Sequence, residues 1–63
     1  MTNTEIVLDA FDSMGGSMQH NKALIFAISQ RFKVAETLAI QLVEQAISDG
    51  VLTMDSIGEV RKA

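Results

Sequence analysis

Cysteine is absent from these 63 residues, so neither a disulfide nor a thiolate metal site can reinforce the fold. Tryptophan and tyrosine are absent as well, which leaves Ile, Leu, Val, Met, Ala and three Phe to build a core. Basic residues are few: five Lys and Arg stand against eight Asp and Glu, for a net charge of −3. Strong sequence-independent binding of nucleic acid rests on cations that displace counterions, and this balance argues against it without excluding a local basic patch. Long apolar runs are also missing. The longest, Ala23–Ile28, falls far short of the ~20 residues that span a bilayer, so no membrane partner is expected. The opening MTNTEIVLD has no basic residue and no long apolar stretch, which does not fit a signal peptide; cytoplasm is the expected compartment.

Sites for chemistry are equally scarce. His20 has no second histidine or cysteine to share a zinc ion. Asp49–Glu59 lacks the alternating oxygen ligands of a calcium loop, and Gly15-Gly16 is not followed by the Lys-Ser/Thr of a phosphate loop. Asp9 and Asp12 read as a solvated acidic face, and no nucleophile stands with a base. A non-enzymatic chain without cofactor or small-molecule substrate is the expectation.

What is present is apolar. The hydrophobic share is 48%, at the top of the globular range. A chain this short buries only about 60% of its unfolded surface, so residues 1–63 are expected to form one small domain with some apolar surface left for a partner.

The spacing predicts three helices. Thr4 is a candidate N-cap for the first, and Thr2 with Glu5 also has capping-box spacing. Ile6, Val7, Ala10, Phe11 and Met14 form one helical stripe, and Gly15-Gly16 ends it, giving a helix over 4–14. Ser17–His20 reads as a polar connector. Asn21 can cap a second helix over 21–32, whose Leu24, Ile25, Ile28 and Phe32 share a face; Phe26 points the other way. Lys33-Val34 is a turn. A third helix covers 36–49, with Leu38, Ala39, Leu42 and Ala46 inward, Val43 at the edge, and Asp49-Gly50 as its stop. The tail VLTMDSIGEVRKA has two readings. One is a hairpin with strands at 51–54 and 59–62 around a turn at Asp55–Gly58. The other is a short helix capped by Thr53, with Ile57 and Val60 inward. The helix is preferred, because Glu59–Ala63 has little β-propensity.

The stretch Arg31–Leu52, RFKVAETLAIQLVEQAISDGVL, resembles the second and third helices of winged helix-turn-helix proteins, a superfamily rich in small bacterial and phage regulators. Phe32-Lys33-Val34 stands where those proteins have Leu-Gly-Val, and Asp49-Gly50-Val51-Leu52 matches the approach to their wing. Ile28, Phe32, Val34, Ala39 and Leu42 fill the apolar positions, and Ser29 is the small residue where two crossed helices touch. Two positions depart from the pattern. Lys33 replaces a glycine, which strains the turn if that residue needs a positive φ, and Ala35 replaces the common Ser or Thr cap. The fold expected is all-α, or mainly α with a minimal β-hairpin wing, around a helix-turn-helix core.

The resemblance implies a DNA-binding transcription regulator, working as a dimer so that two third helices reach adjacent major-groove segments of duplex DNA. Its DNA-facing residues would be Glu36, Thr37 and Gln41, flanked by the basic Arg31, Lys33, Arg61 and Lys62. Gln41 could read adenine, but Glu36 and Glu44 repel phosphate. The alternative is a protein-interaction module with no DNA binding. Its contact surface, or a homodimer seam, would use Phe26, Ile40, Val43 and Ile47, the last three at 3-4 spacing along the third helix, or the Glu5–Asp9–Asp12 face.

Overall fold

The computed structural model describes residues 1–63, and its first helix opens on a reciprocal cap. Thr2 Oγ1 accepts the Glu5 backbone N–H at 3.1 Å, and the Glu5 carboxylate accepts the Thr2 N–H at 2.8 Å. Two of the amide groups left without helical partners are satisfied at once. Helix α1 then covers Asn3–Ser13, capped by Thr2 and not Thr4. Because the Thr2 backbone and side chain both bond to Glu5, its carboxyl is held below the usual carboxylate value.

After α1 come a two-residue strand β1 (Gln19–His20), helix α2 (Asn21–Phe32), helix α3 (Glu36–Ser48), and strands β2 (Leu52–Met54) and β3 (Glu59–Lys62). The three strands form one antiparallel sheet in the order β1-β3-β2. The chain is thus mainly α with a small sheet. No helix is long and apolar enough to cross a membrane.

All three helices stop through similar backbone geometry. Gly16 N–H returns to Phe11 C=O and Gly15 N–H to Asp12 C=O; Val51 N–H returns to Ala46 C=O and Gly50 N–H to Ile47 C=O. These are Schellman bonds, and both put a glycine in the left-handed region. At the end of α2 that position is Lys33, with φ 56° and ψ 47°. Ser29 holds this turn. Its C=O accepts from both Lys33 and Val34 N–H, and its hydroxyl donates to Val34 C=O at 2.7 Å. Lys33 therefore does occupy a glycine conformation. Helix α3 follows with Ala35 at its N-cap and no side-chain cap bond.

The core is wholly apolar. Val7, Ala10 and Phe11 from α1 meet Leu24 and Ile28 from α2, Ala39, Leu42, Val43 and Ala46 from α3, Leu52 from β2 and Val60 from β3. No polar side chain is buried. Two expectations for α3 are corrected. Val43 is buried, because α3 is packed by α1, α2 and β2 together and its buried arc is wide. Leu38, expected inward, lies at the rim of that arc and is 43% exposed.

The preferred reading of the tail is also corrected: residues 51–63 form a hairpin, not a helix. Asp55 supplies the local reason. Its Oδ1 accepts from Ile57 and Glu59 N–H at 3.1 and 2.9 Å, and Gly58 N–H closes the turn on Asp55 C=O. Gly58 follows at φ 87°, the left-handed glycine of a short hairpin loop. The long-range reason is β1, which arises in the expected connector and pairs with the other edge of β3. As the middle strand, β3 gains bonds on both sides, which outweighs the weak propensity of its residues. Val60 is buried, and Ile57, expected inward, is 68% exposed at the tip.

The sheet is tied to α2 at one point. Gly58 C=O accepts both the backbone and the side-chain N–H of Asn21 at 2.8 Å. The N-cap of α2 is His20, whose Nδ1 accepts Lys22 N–H; Asn21, the expected cap, bonds the hairpin instead.

Three outcomes follow. Lys33→Gly removes the left-handed strain and raises stability by about 1 kcal/mol in urea unfolding. Gly58→Ala has the opposite sign. Its Cβ would stand 2.6 Å from Asn21 Nδ2 at a positive φ, so we expect a loss of at least about 1 kcal/mol, with faster amide exchange at Asn21. The third concerns pH. With the folded value of Glu5 lowered, its contribution is present above the ordinary carboxylate range and lost as pH falls through the folded value. Thermal melts of Glu5→Gln should therefore lie below wild type at neutral pH and converge with it in acid.

Candidate interaction surface

No cavity is present, and no three His, Cys, Asp or Glu come together as metal ligands. The candidate residues other than Val43 reach the surface, and the fold sorts them into three groups.

The first group is drawn onto α1. Arg31 Nε donates to Asp9 Oδ2 at 2.7 Å, and Lys62 Nζ lies 2.7 Å from Asp12 Oδ1. Each pair is about half exposed and contributes little stability, on the order of 0–1 kcal/mol. The consequence is positional. Two of the five cations are spent on the carboxylate face of α1, which leaves Lys22, Lys33 and Arg61 outside any ion pair. Arg61 and Lys62 are not at the hairpin tip, where a wing would carry them. The tip is Asp55–Gly58, with one carboxylate and the exposed Ile57.

The second group is the outer side of α3. Thr37 and Gln41 face away from the buried Ala39, Leu42 and Ala46 and are exposed. Beside them Glu36, Ile40 and Glu44 fall at i, i+4 and i+8, one line along the helix. All three are exposed. No Lys or Arg occurs anywhere in α3.

The third group is the outer side of α2. Lys22 and Phe26 stand at i and i+4 and are exposed, Phe26 showing 57% of its surface; Lys33, also exposed, lies beyond the helix as its left-handed C-cap. Neither α1 nor the tail covers Phe26. Of the apolar contact set expected from sequence, Phe26 and Ile40 are outward. Val43 is core and cannot form an outer seam, and Ile47 is half-buried against the core. Sequence reasoning missed Leu38 and Met54, both exposed. For Leu38 the signal was an angular position at the stripe's margin; for Met54 there was none, since strand alternation puts it on the face of the buried Leu52.

No protein-family model, curated protein or solved structure matches the chain.

Proposed function

We propose that this chain is a winged helix-turn-helix domain that works, without catalysis, by docking on protein and not by gripping DNA. Three features support the first half. The element order helix, strand, helix, helix, strand, strand ends in a hairpin directly after α3. Ser29 is the small residue beside the α2–α3 turn. Lys33 takes the left-handed conformation that a glycine takes in the proteins this chain resembles.

The second half rests on one observation: the outward side of α3 carries Glu36, Ile40 and Glu44 and no cation. In a major groove those carboxylates would face phosphates, and the commonest specific contact, Arg to guanine, has no donor there. Three cations outside ion pairs could neutralise only about three phosphates, which is a weak electrostatic grip. Exposed Phe26, Leu38 and Ile40 suit a protein surface instead, where apolar anchors with a charged rim give affinity and specificity.

The hairpin after α3 and the exposed Thr37 and Gln41 favour a second reading, a dimeric DNA-binding transcription regulator of bacterial or phage type in the cytoplasm. Amide-shift titration with mixed-sequence duplex DNA at low and moderate salt separates the two. Under the docking reading Lys33, Thr37 and Gln41 do not move at low salt. Shifts at those residues that fade as salt rises would establish the DNA reading in its place.

A further inference from the structure

The outward line of α3 carries a charge pattern that nothing else in the chain answers. Glu36, Ile40 and Glu44 stand at i, i+4 and i+8 within the helix, and all three are exposed. Ile47, half-buried at i+11, continues the line. Neither glutamate has an ion-pair partner. The C-terminal end of α3 is negative as well. Its last turn has no basic residue, and its cap is Asp49, whose carboxylate is bonded by the neutral Gln45 side chain and by no cation. The carbonyl end of a helix is already a partial negative pole, where a cation stabilises and a carboxylate does not.

A second copy of the chain cannot supply the missing cations. Helix α1 has no Lys or Arg. On α2, Lys22 and Arg31 stand at i and i+9, on opposite sides of the helix, and Arg31 is held by Asp9. Lys33 lies in the turn and Arg61 on β3. No helix therefore offers two free cations along one line. Two α3 faces laid together would oppose glutamate to glutamate, which is costly.

We infer that the partner of α3 is a helix of another protein, with a line that reads cation, apolar residue, cation at steps of four; this names the partner for the docking reading above and rests on it. The shape of the face selects a helix. No cavity opens beside α3, and an extended peptide needs a groove or a strand edge, which the outward line of a helix does not offer. A helix lays its own ridges between those of α3 instead. Glu36 and Glu44 lie about 12 Å apart along the axis, and a partner line of the same step sets a Lys or Arg opposite each. Ile40, 39% exposed, takes the apolar residue between them, loses its water and leaves the charges as rim. An acidic or neutral helix would strand both glutamates, so the same charges give specificity. The carboxylates of α1 do not compete, because Asp9 and Asp12 already hold Arg31 and Lys62.

The test uses two alanine-rich helical peptides that differ only in charge. One carries lysine, leucine and lysine at steps of four; the other has glutamate in place of both lysines. Titrated into wild type and followed by amide shifts, the lysine peptide should move Ile40, Glu44 and Ile47, and these shifts should fade as salt rises. The glutamate peptide should bind at least about tenfold more weakly. In the double variant Glu36→Lys/Glu44→Lys the preference should invert, with unchanged far-ultraviolet circular dichroism. A lysine peptide that moves no amide of α3, or moves Asp9 and Asp12 in their place, would overturn the inference. So would equal binding of the two peptides, or a preference that does not invert. The DNA titration keeps the two ideas apart: a chain that ignores both duplex DNA and the lysine peptide loses only the cationic helix as partner, whereas salt-sensitive DNA shifts at Thr37 and Gln41 sink the docking reading itself.

Discussion

The structure depends on one strained turn. Between α2 and α3 the chain reverses through Lys33, a side-chain-bearing residue in a conformation that favours glycine. Ser29 holds it there, through a carbonyl that accepts two N–H groups and a hydroxyl that donates to Val34. This angle decides which residues of α3 are buried. Ala39, Leu42 and Ala46 reach the core because the turn aims them there, and the same rotation leaves Glu36, Ile40 and Glu44 outside. With no disulfide and no buried polar side chain, the core supplies packing alone, and this turn adds a directional constraint between α2 and α3 beside the one that Asn21 and Gly58 set between α2 and the sheet.

Electrostatics then divides the surface without adding much stability. The carboxylates of α1 hold Arg31 and Lys62, one from α2 and one from β3. What remains is unevenly spread: Lys22 on α2, Lys33 in the turn and Arg61 on β3, against Glu36 and Glu44 on the outer side of α3.

The parts legible in sequence were those governed by local rules. The 3.6-residue spacing and the glycine stops located all three helices to within a residue or so, and the bounds of α2 agree with those observed. The left-handed turn at Lys33 was legible as a conflict between residue and position. The hairpin was legible only as one of two readings, because what decides it is non-local: β3 is held on its far edge by two residues of β1, too short to show any alternation. The ion pairs were invisible for the same reason, since Asp9 and Arg31 are 22 residues apart and no periodicity links them. Val43 and Leu38 were misassigned because both sit near the edge of the buried arc, where small rotations decide which one the neighbouring elements cover.

The middle position of β3 has a consequence for how the chain can fold. Gln19 pairs with Val60, so the sheet closes a loop that contains α2, the turn and all of α3. Closing so long a loop costs entropy before the pairing returns any enthalpy. The α2–α3 unit and the β2–β3 hairpin each form from neighbours in sequence, whereas β1 must wait for both. Gly58, whose carbonyl receives two hydrogen bonds from Asn21, sits where that late closure is made, so this small strand works as a latch on an arrangement the helices have already reached.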